Sequence, residues 1–230
     1  MYCQFAIQIS LAQDSHLAQY EAAYLYLNPA MTGMFNGEYR AHIHTRRQWA
    51  AIMKKPFRTS MVSFDMPMPN EKKLKNLSIG ALVKNSKAGS GNFNTFNFLI
   101  SGAYNLTLTS NKNHHISTGI QIGIIQKSVD VSALYFDNQF FLRNGGGFDP
   151  SLPNNESFDN NNVLLADLNI GIIYYYSNNR SRINPFGGIS IFHLNRPKES
   201  FLGISNKLPA RYVYHWGVKL TLSQSIQIIP

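Results

Sequence analysis

Few side chains in this sequence are spaced for chemistry. His42 and His44 stand two residues apart, on one face of an extended stretch, and could offer two imidazoles to a metal ion. No carboxylate or cysteine at a suitable spacing completes that set, so a polar lining role is the better reading. His114 and His115 adjoin a turn and point to opposite faces. Asp137, Asp149, Glu156 and Asp159 fall in one long polar stretch, but their spacing is not that of an EF-hand calcium loop. They read as solvated loop acids. Asn144–Gly147 is glycine-rich yet lacks the Lys-Ser/Thr that would make it a phosphate loop. G-x-S-x-G and H-E-x-x-H are absent, and nothing fixes a nucleophile beside a base. Cys3 is the single cysteine, which excludes a disulfide or a thiolate metal site within the chain. The sequence therefore predicts a protein that is not an enzyme and takes no cofactor or metal.

The elements that carry these residues are strands. Phe93–Gln126 is the clearest case: Phe96, Phe98, Ile100, Tyr104, Leu106 and Leu108 share one face, opposite Asn97, Ser101, Ala103, Asn105 and Thr107. After the turn Ser110–Asn113, Ile116, Ile120, Ile122 and Ile124 oppose Ser117, Gly119, Gln121 and Gly123. A period of two held over about ten residues per arm exceeds the usual soluble strand of about 5–6 and matches the 9–11 or so needed to cross a bilayer at a tilt. The reading is a transmembrane hairpin with lipid outside and a polar interior, a lumen that is not a packed core.

Composition agrees. Charged residues make up 14%, aromatic residues 13% and the mean hydropathy is −0.19. No apolar run reaches the roughly 18 residues of a membrane helix, but barrel strands average to neutral hydropathy. The net charge of +9 points to anionic partners such as lipid headgroups or lipopolysaccharide, or else to cations scattered in turns such as Lys54-Lys55. No single strong basic stripe appears, so scattering is favoured and no nucleic-acid partner is expected.

Along the chain, residues 1–12 resemble the end of a secretory signal peptide, with small residues Ser10 and Ala12 before Gln13. Residues 13–37 form a lead-in or plug segment, a short helix or extended run broken at Asn28-Pro29-Ala30. Residues 38–230 then supply strands: Glu38–Ile52, Phe57–Met68, Leu77–Asn85, the hairpin, Val163–Ser177, Pro185–Asn195 and Arg211–Leu222. A further short strand is expected within Leu134–Leu142. The connections 130–162 and 196–209 are long and 110–113 and 178–182 short, alternating as outer loops and periplasmic turns do. The fold expected is an all-β, transmembrane, antiparallel up-and-down β-barrel of outer-membrane type. The closing SQSIQIIP lacks a terminal aromatic residue, so the barrel is expected to be C-terminally incomplete.

The sharpest motif is Asn28-Pro29-Ala30, with Gly33 just beyond. It reads as a turn before the first strand, or as a plug similar to the tripeptide at the start of fatty-acid transporter barrels. Arg46, Gln48 and Trp49 on the first strand are candidates to lock it to that plug, and Trp49 also reads as an interface anchor. Gln13–Tyr20, Leu25-Tyr26-Leu27-Asn28-Pro29-Ala30 and Gly33, with Arg46-Arg47-Gln48-Trp49, resemble the start and the R-x-Q-W element of the PorP/SprF proteins. Asp167–Ile172 and His193–Pro197 resemble two later stretches of that family. The resemblance spans residues 13–230, although family members continue with further strands. It implies an integral outer-membrane component of the type IX secretion system of Bacteroidetes. The implied partners are outer-membrane lipid, periplasmic peptidoglycan-associated secretion components, and a secreted adhesin or cargo protein, including those of gliding motility. The alternatives are a transporter or porin for small solutes and, more remotely, a soluble secreted β-sandwich adhesin.

Overall fold

The computed structural model describes residues 5–9, 23–68, 76–89, 91–141, 146–149, 151–153, 161–178, 181–201, 206–223 and 226–228. In chain order the elements are β1 (Phe5–Ile9), α1 (Tyr24–Leu27), a 3-10 turn (Pro29–Met31), β2 (Arg40–Gln48), β3 (Phe57–Pro67), β4 (Leu77–Ala88), β5 (Phe93–Thr107) and β6 (His114–Ser128). They continue with β7 (Phe140–Phe141), β8 (Gly147–Phe148), β9 (Asn162–Tyr176), β10 (Ile183–Phe192), β11 (Lys198–Glu199), β12 (Asn206–Lys207), β13 (Arg211–Ser223) and β14 (Ile226–Ile228).

One sheet organises the chain, in the order β1-β13-β10-β9-β6-β5-β4-β3-β2, with β14 also on β13. Every pairing in it is antiparallel, from Ile43↔Val62 in β2–β3 to Ile189↔Tyr214 in β10–β13. This is an up-and-down meander curled around an interior. β5, β6 and β9 run 15 residues each, longer than a single tilted crossing of about 9–11 residues requires. Among the described residues β2 pairs only with β3, so hydrogen bonding does not close the barrel. Residues 5–9, read from the sequence as part of a leader, lie along β13 with Phe5 opposite Trp216 and Ile9 opposite Tyr212.

Three local outcomes differ from the sequence reading. The 134–142 stretch is strand only at Phe140–Phe141; 3-10 turns at Val131–Ala133 and Asp137–Gln139 precede it. Their short-range bonds, such as Leu134 N–H to the Val131 carbonyl, take the backbone groups a longer strand would need. Of the short helix or extended run read before Asn28, the described part is a single helical turn. Asn28 leaves it with φ −156° and ψ 122°, because the proline that follows disfavours a helical residue there. The third difference is the lumen: it is packed rather than open.

Alternation along the strands sorts two surfaces. Outward lie Val62, Phe64, Phe98, Ile100, Ile120, Ile122, Ile172 and Tyr214, all large, apolar and exposed. Inward lie Ser63, Asp65, Lys84, Asn97, Ser101, Ser117, Gln121, Asn169 and His215, all buried. That inversion makes sense only with hydrocarbon outside. No helix among the described residues is long and apolar enough to cross a membrane; the crossing elements are strands. Inside, Leu27, Ala30 and Met31 pack on Ile173, Phe192 and Val213, while Ala23 and Leu25 pack on Met61, Leu82 and Leu99. At the end bearing the long loops, Leu208 packs on Ile125 and Leu165, and Lys127 pairs with Glu199 at 2.7 Å.

An Arg in place of Ile120, midway along β6 and 52% exposed, meets hydrocarbon. It should cost about 2–4 kcal/mol of folding free energy in bilayers, whereas Ser128→Arg at the strand end should cost about 0–1 kcal/mol. Urea unfolding in lipid vesicles measures both; equal costs would refute the outward assignment of the Ile120 face.

Candidate functional site in the barrel lumen

The site is built from an irregular stretch of backbone, residues 23–34, and the strand side chains that receive it. A chain that leaves regular structure carries unpaired N–H and C=O groups, and burying them without partners is costly. Asn28 solves this locally first. Its Oδ1 accepts the Ala30 N–H at 2.9 Å and so caps the 3-10 turn that Pro29 opens. That bond sets the amide's orientation. Nδ2 then donates towards the carbonyls of Ile172 and Ile189, at 3.2 and 3.4 Å, and towards His215 Nε2 at 2.9 Å. Because Nδ2 has only protons to offer, His215 Nε2 is the acceptor and its ring carries the proton on Nδ1. One amide thus joins the segment to β9, β10 and β13.

The remaining carbonyls are met one by one. Gln121 donates to Leu25 (3.3 Å), Arg211 to Tyr26 (3.2 Å), Ser190 to Leu27 (2.7 Å), Ser117 to Ala30 (2.8 Å) and Arg40 to Met31 (3.0 Å). The Thr32 hydroxyl donates to the Pro29 carbonyl at 2.7 Å and lies 3.0 Å from Ser101 Oγ. Gly33, at φ +68°, turns the chain out and donates its N–H to Asp65 at 2.7 Å. Asp65 in turn holds Arg40 by two bonds, Nε–Oδ1 3.0 Å and Nη2–Oδ2 2.7 Å. The Arg40 guanidinium also lies 4.2 Å from the Tyr24 ring centroid, and Lys84 and Arg211 stand 4.4 and 4.3 Å from that of Tyr26.

Two inner glycines make the seat deep enough. A Cβ on Gly171 would overlap Asn28 Oδ1, and one on Gly119 would overlap the Pro29 carbonyl. The small polar face visible in the sequence is therefore shaped to another stretch of backbone, not to water.

Of the residues singled out from the sequence, the fold gathers Asn28, Pro29, Ala30 and Gly33 into this seat. Arg46, Gln48 and Trp49 lie further on: β2 meets the segment through Arg40 and His42 near its start, and Arg46 is six residues past Arg40, about 20 Å along the strand. Trp49 is 51% exposed and opens the β2–β3 turn with a left-handed φ of +65°. His42 faces the lumen, its ring 5.4 Å from Tyr24 and 6.2 Å from His44. Among the described residues no group of three His, Cys, Asp or Glu side chains could hold a metal. Asp149 accepts from the Ser151 hydroxyl at 2.6 Å and backbone N–H at 2.9 Å, bonds that hold its carboxyl below the usual range. Glu156, Asp159, Asn144, Gly145, the Gln13–Tyr20 motif and Pro230 lie outside the described residues.

The two later motifs come together. Asp167 and His193 are 2.7 Å apart, Asn169 accepts from the His193 N–H at 2.8 Å, and Asn195 donates to the Ala166 carbonyl at 2.7 Å. Asn169 also donates to Gln121, whose amide reaches Leu25, so the β10–β13 loop is wired to the segment in the lumen. Sequence reading missed Arg40, Asp65, Ser190, Arg211 and His215 as site residues. Their signal was only that they are polar and fall on the inner face.

An antiparallel meander with an apolar outer face and a lumen filled by its own N-terminal segment defines a plugged β-barrel of the outer membrane. The chain belongs to the PorP/SprF family: the model for "Type IX secretion system membrane protein PorP/SprF" matches residues 9–230. It is thus an outer-membrane component of the type IX secretion system, from a family of secretion components rather than enzymes. Among solved structures it is similar to the crystal structure of Neisserial surface protein A (NspA), at 13% identity and a TM-score of 0.31, over 79% of this chain and 92% of that one. No curated protein matches it.

Gly119→Leu should drive residues 28–32 from the seat, whereas Gly102→Leu, on the outward face, should not. With Cys3 changed to Ser, a cysteine at Thr32 reports this through its reaction with a water-soluble maleimide. Labelling should rise at least tenfold in Gly119→Leu alone; unchanged labelling would show that the seat does not retain the segment. Separately, Asp65→Asn breaks the buried pair with Arg40 and should cost about 3–5 kcal/mol in urea unfolding.

Proposed function

We propose that the protein is a non-enzymatic docking component of the secretion machine. It holds periplasmic peptidoglycan-associated components at the outer membrane and supports export or surface anchoring of adhesins or gliding-motility proteins. In this reading residues 1–12 are a leader, 13–37 form the plug segment with Asn28, Pro29, Ala30 and Gly33 at its anchor, and 38–230 form the barrel. Arg46, Gln48 and Trp49 stabilise the outer end of the first strand.

One observation carries the choice over a porin: the lumen is filled. Leu25, Asn28 and Ala30 are each 0% exposed at its centre. A solute channel needs a water path, and this interior is closed by bonded backbone and packed apolar side chains. What stays available to partners among the described residues is the outside: the membrane-facing surface, the turn at 108–113 and the exposed Trp49–Lys55 turn.

The test is affinity capture of the tagged full chain from detergent-solubilised envelopes, paired with planar-bilayer recordings of the same preparation. Recovery of peptidoglycan-associated secretion components, loss of surface adhesin in a deletion strain, and no conductance above bare lipid are expected. Steady conductance without captured partners and with adhesin display intact would replace this reading with the porin one.

A further inference from the structure

Register makes a feature that linear sequence hides. Arg47 is opposite Arg58 in β2–β3, and Arg58 is opposite Lys87 in β3–β4. All three are exposed and point outward from three successive strands. With strands about 4.8 Å apart, the cations span about 10 Å. Continuing across the sheet, the same level carries Asn94, Ser128 and Asn162, so the charge is confined to one sector. Like charges directly opposite one another destabilise a sheet. Among the described residues no carboxylate pairs with Arg47, Arg58 or Lys87.

The rows beneath place this cluster at a defined depth. Next comes a polar row, Thr45, Ser60 and Asn85, and below it an apolar one, Ile43, Val62 and Val83. Ile43 is 78% exposed, as expected where lipid is the solvent. The cations thus stand one polar step above the hydrocarbon, at headgroup level. Just past them the β2–β3 turn carries Trp49, 51% exposed, as in an interfacial aromatic belt, together with Lys54 and Lys55. Antiparallel alternation puts this turn at the same end as the β6–β9 and β10–β13 connections. Those are the long ones, which marks the end as the cell exterior. The headgroups there are those of the outer leaflet.

We propose that Arg47, Arg58 and Lys87 form a clasp for the phosphate groups of lipopolysaccharide in the outer leaflet. Two guanidiniums offer forked donors to phosphate oxygens, the Lys ammonium adds a point charge, and bound phosphate cancels the repulsion along the row. The β2–β3–β4 sector is then the side of the barrel fixed against glycolipid, leaving other sectors to protein partners.

The test titrates the full chain in neutral detergent with phosphorylated lipid A, and with the same lipid after removal of its phosphates. The phosphorylated form should bind and be displaced by salt; the dephosphorylated form should bind far more weakly. Each change to Gln at Arg47, Arg58 or Lys87 should weaken binding about fivefold, and the triple variant about a hundredfold. Arg47→Lys with Arg58→Lys keeps the charge but loses the forks and should bind between the parent and the triple variant, and Lys112→Gln at the opposite end should change nothing. Should the triple variant not fold, Arg58→Gln, at the centre of the row, reads the same ratio. Equal binding of the two lipids, or variants that bind like the parent, would overturn the proposal and leave the cations as side chains reaching to the interface.

Discussion

The structure depends on one amide. Asn28 stands where the chain stops being regular, and its two ends face different problems. Oδ1 settles the turn that Pro29 begins; Nδ2 reaches the backbone of two strands and a histidine on a third. No other side-chain type does both. Aspartate lacks the donors, serine lacks the reach, and glutamine would be too long to cap its own turn while lying over Gly171. The proline that follows makes the geometry local, because it holds Asn28 extended before any tertiary contact forms. The strand glycines and serines then read as negatives of this segment.

The same reasoning explains why the inner face is polar where it is buried against the segment. In a soluble barrel a dry core would be filled with Leu and Ile. Here the filling is a piece of irregular chain whose carbonyls each need a donor. Gln121 and Ser117 of β6, Ser190 of β10, Arg40 of β2 and Arg211 of β13 supply them, so the segment is held by many modest bonds rather than by one patch. Net worth per neutral bond is only about 1 kcal/mol, but leaving any of these groups unmatched costs more than the bond gives. Specificity of position, more than raw stability, is what this arrangement secures. Arg40–Asp65 extends it to the exit, where Gly33 and Arg40 use the same carboxylate.

Much of the architecture was legible because it is encoded at short range. The period of two in Phe96–Leu108 and Ile116–Ile124 placed the outward face. Asn28-Pro29 marked the break. What could not be read were the pairings across the lumen. Asn28 meets His215 at a separation of 187 residues and Ser190 meets Leu27 at 163, and no local pattern announces such partners. The same limit misdirected attention to Arg46 when Arg40 is the residue that reaches the segment. It also made the basic residues look scattered, since Arg47, Arg58 and Lys87 become neighbours only through strand register. The polar face was seen, but whether it met water or backbone depended on where residues 23–34 lie.

The two ends of the lumen are not equivalent, and this bears on how the barrel can work. Toward the long loops, the interior is closed twice. Residues 25–32 fill its middle, and above them Leu208 packs on Ile125 and Leu165 while Glu199 pairs with Lys127 and Phe201 meets Phe93. Toward the short turns, the chain itself passes out through Gly33 to residues 36–39, which are exposed. The network of Asp167, His193, Asn169 and Gln121 links the two closures, so the loop side and the plug share hydrogen bonds rather than acting independently. A force applied at the end bearing the short turns acts directly on the segment through its own backbone. A force applied at the end bearing the long loops must first pass through the β10–β13 loop. One relay between the plug and the loop is therefore Gln121, which bonds Leu25 and Asn169, and Asn169, which bonds the His193 N–H.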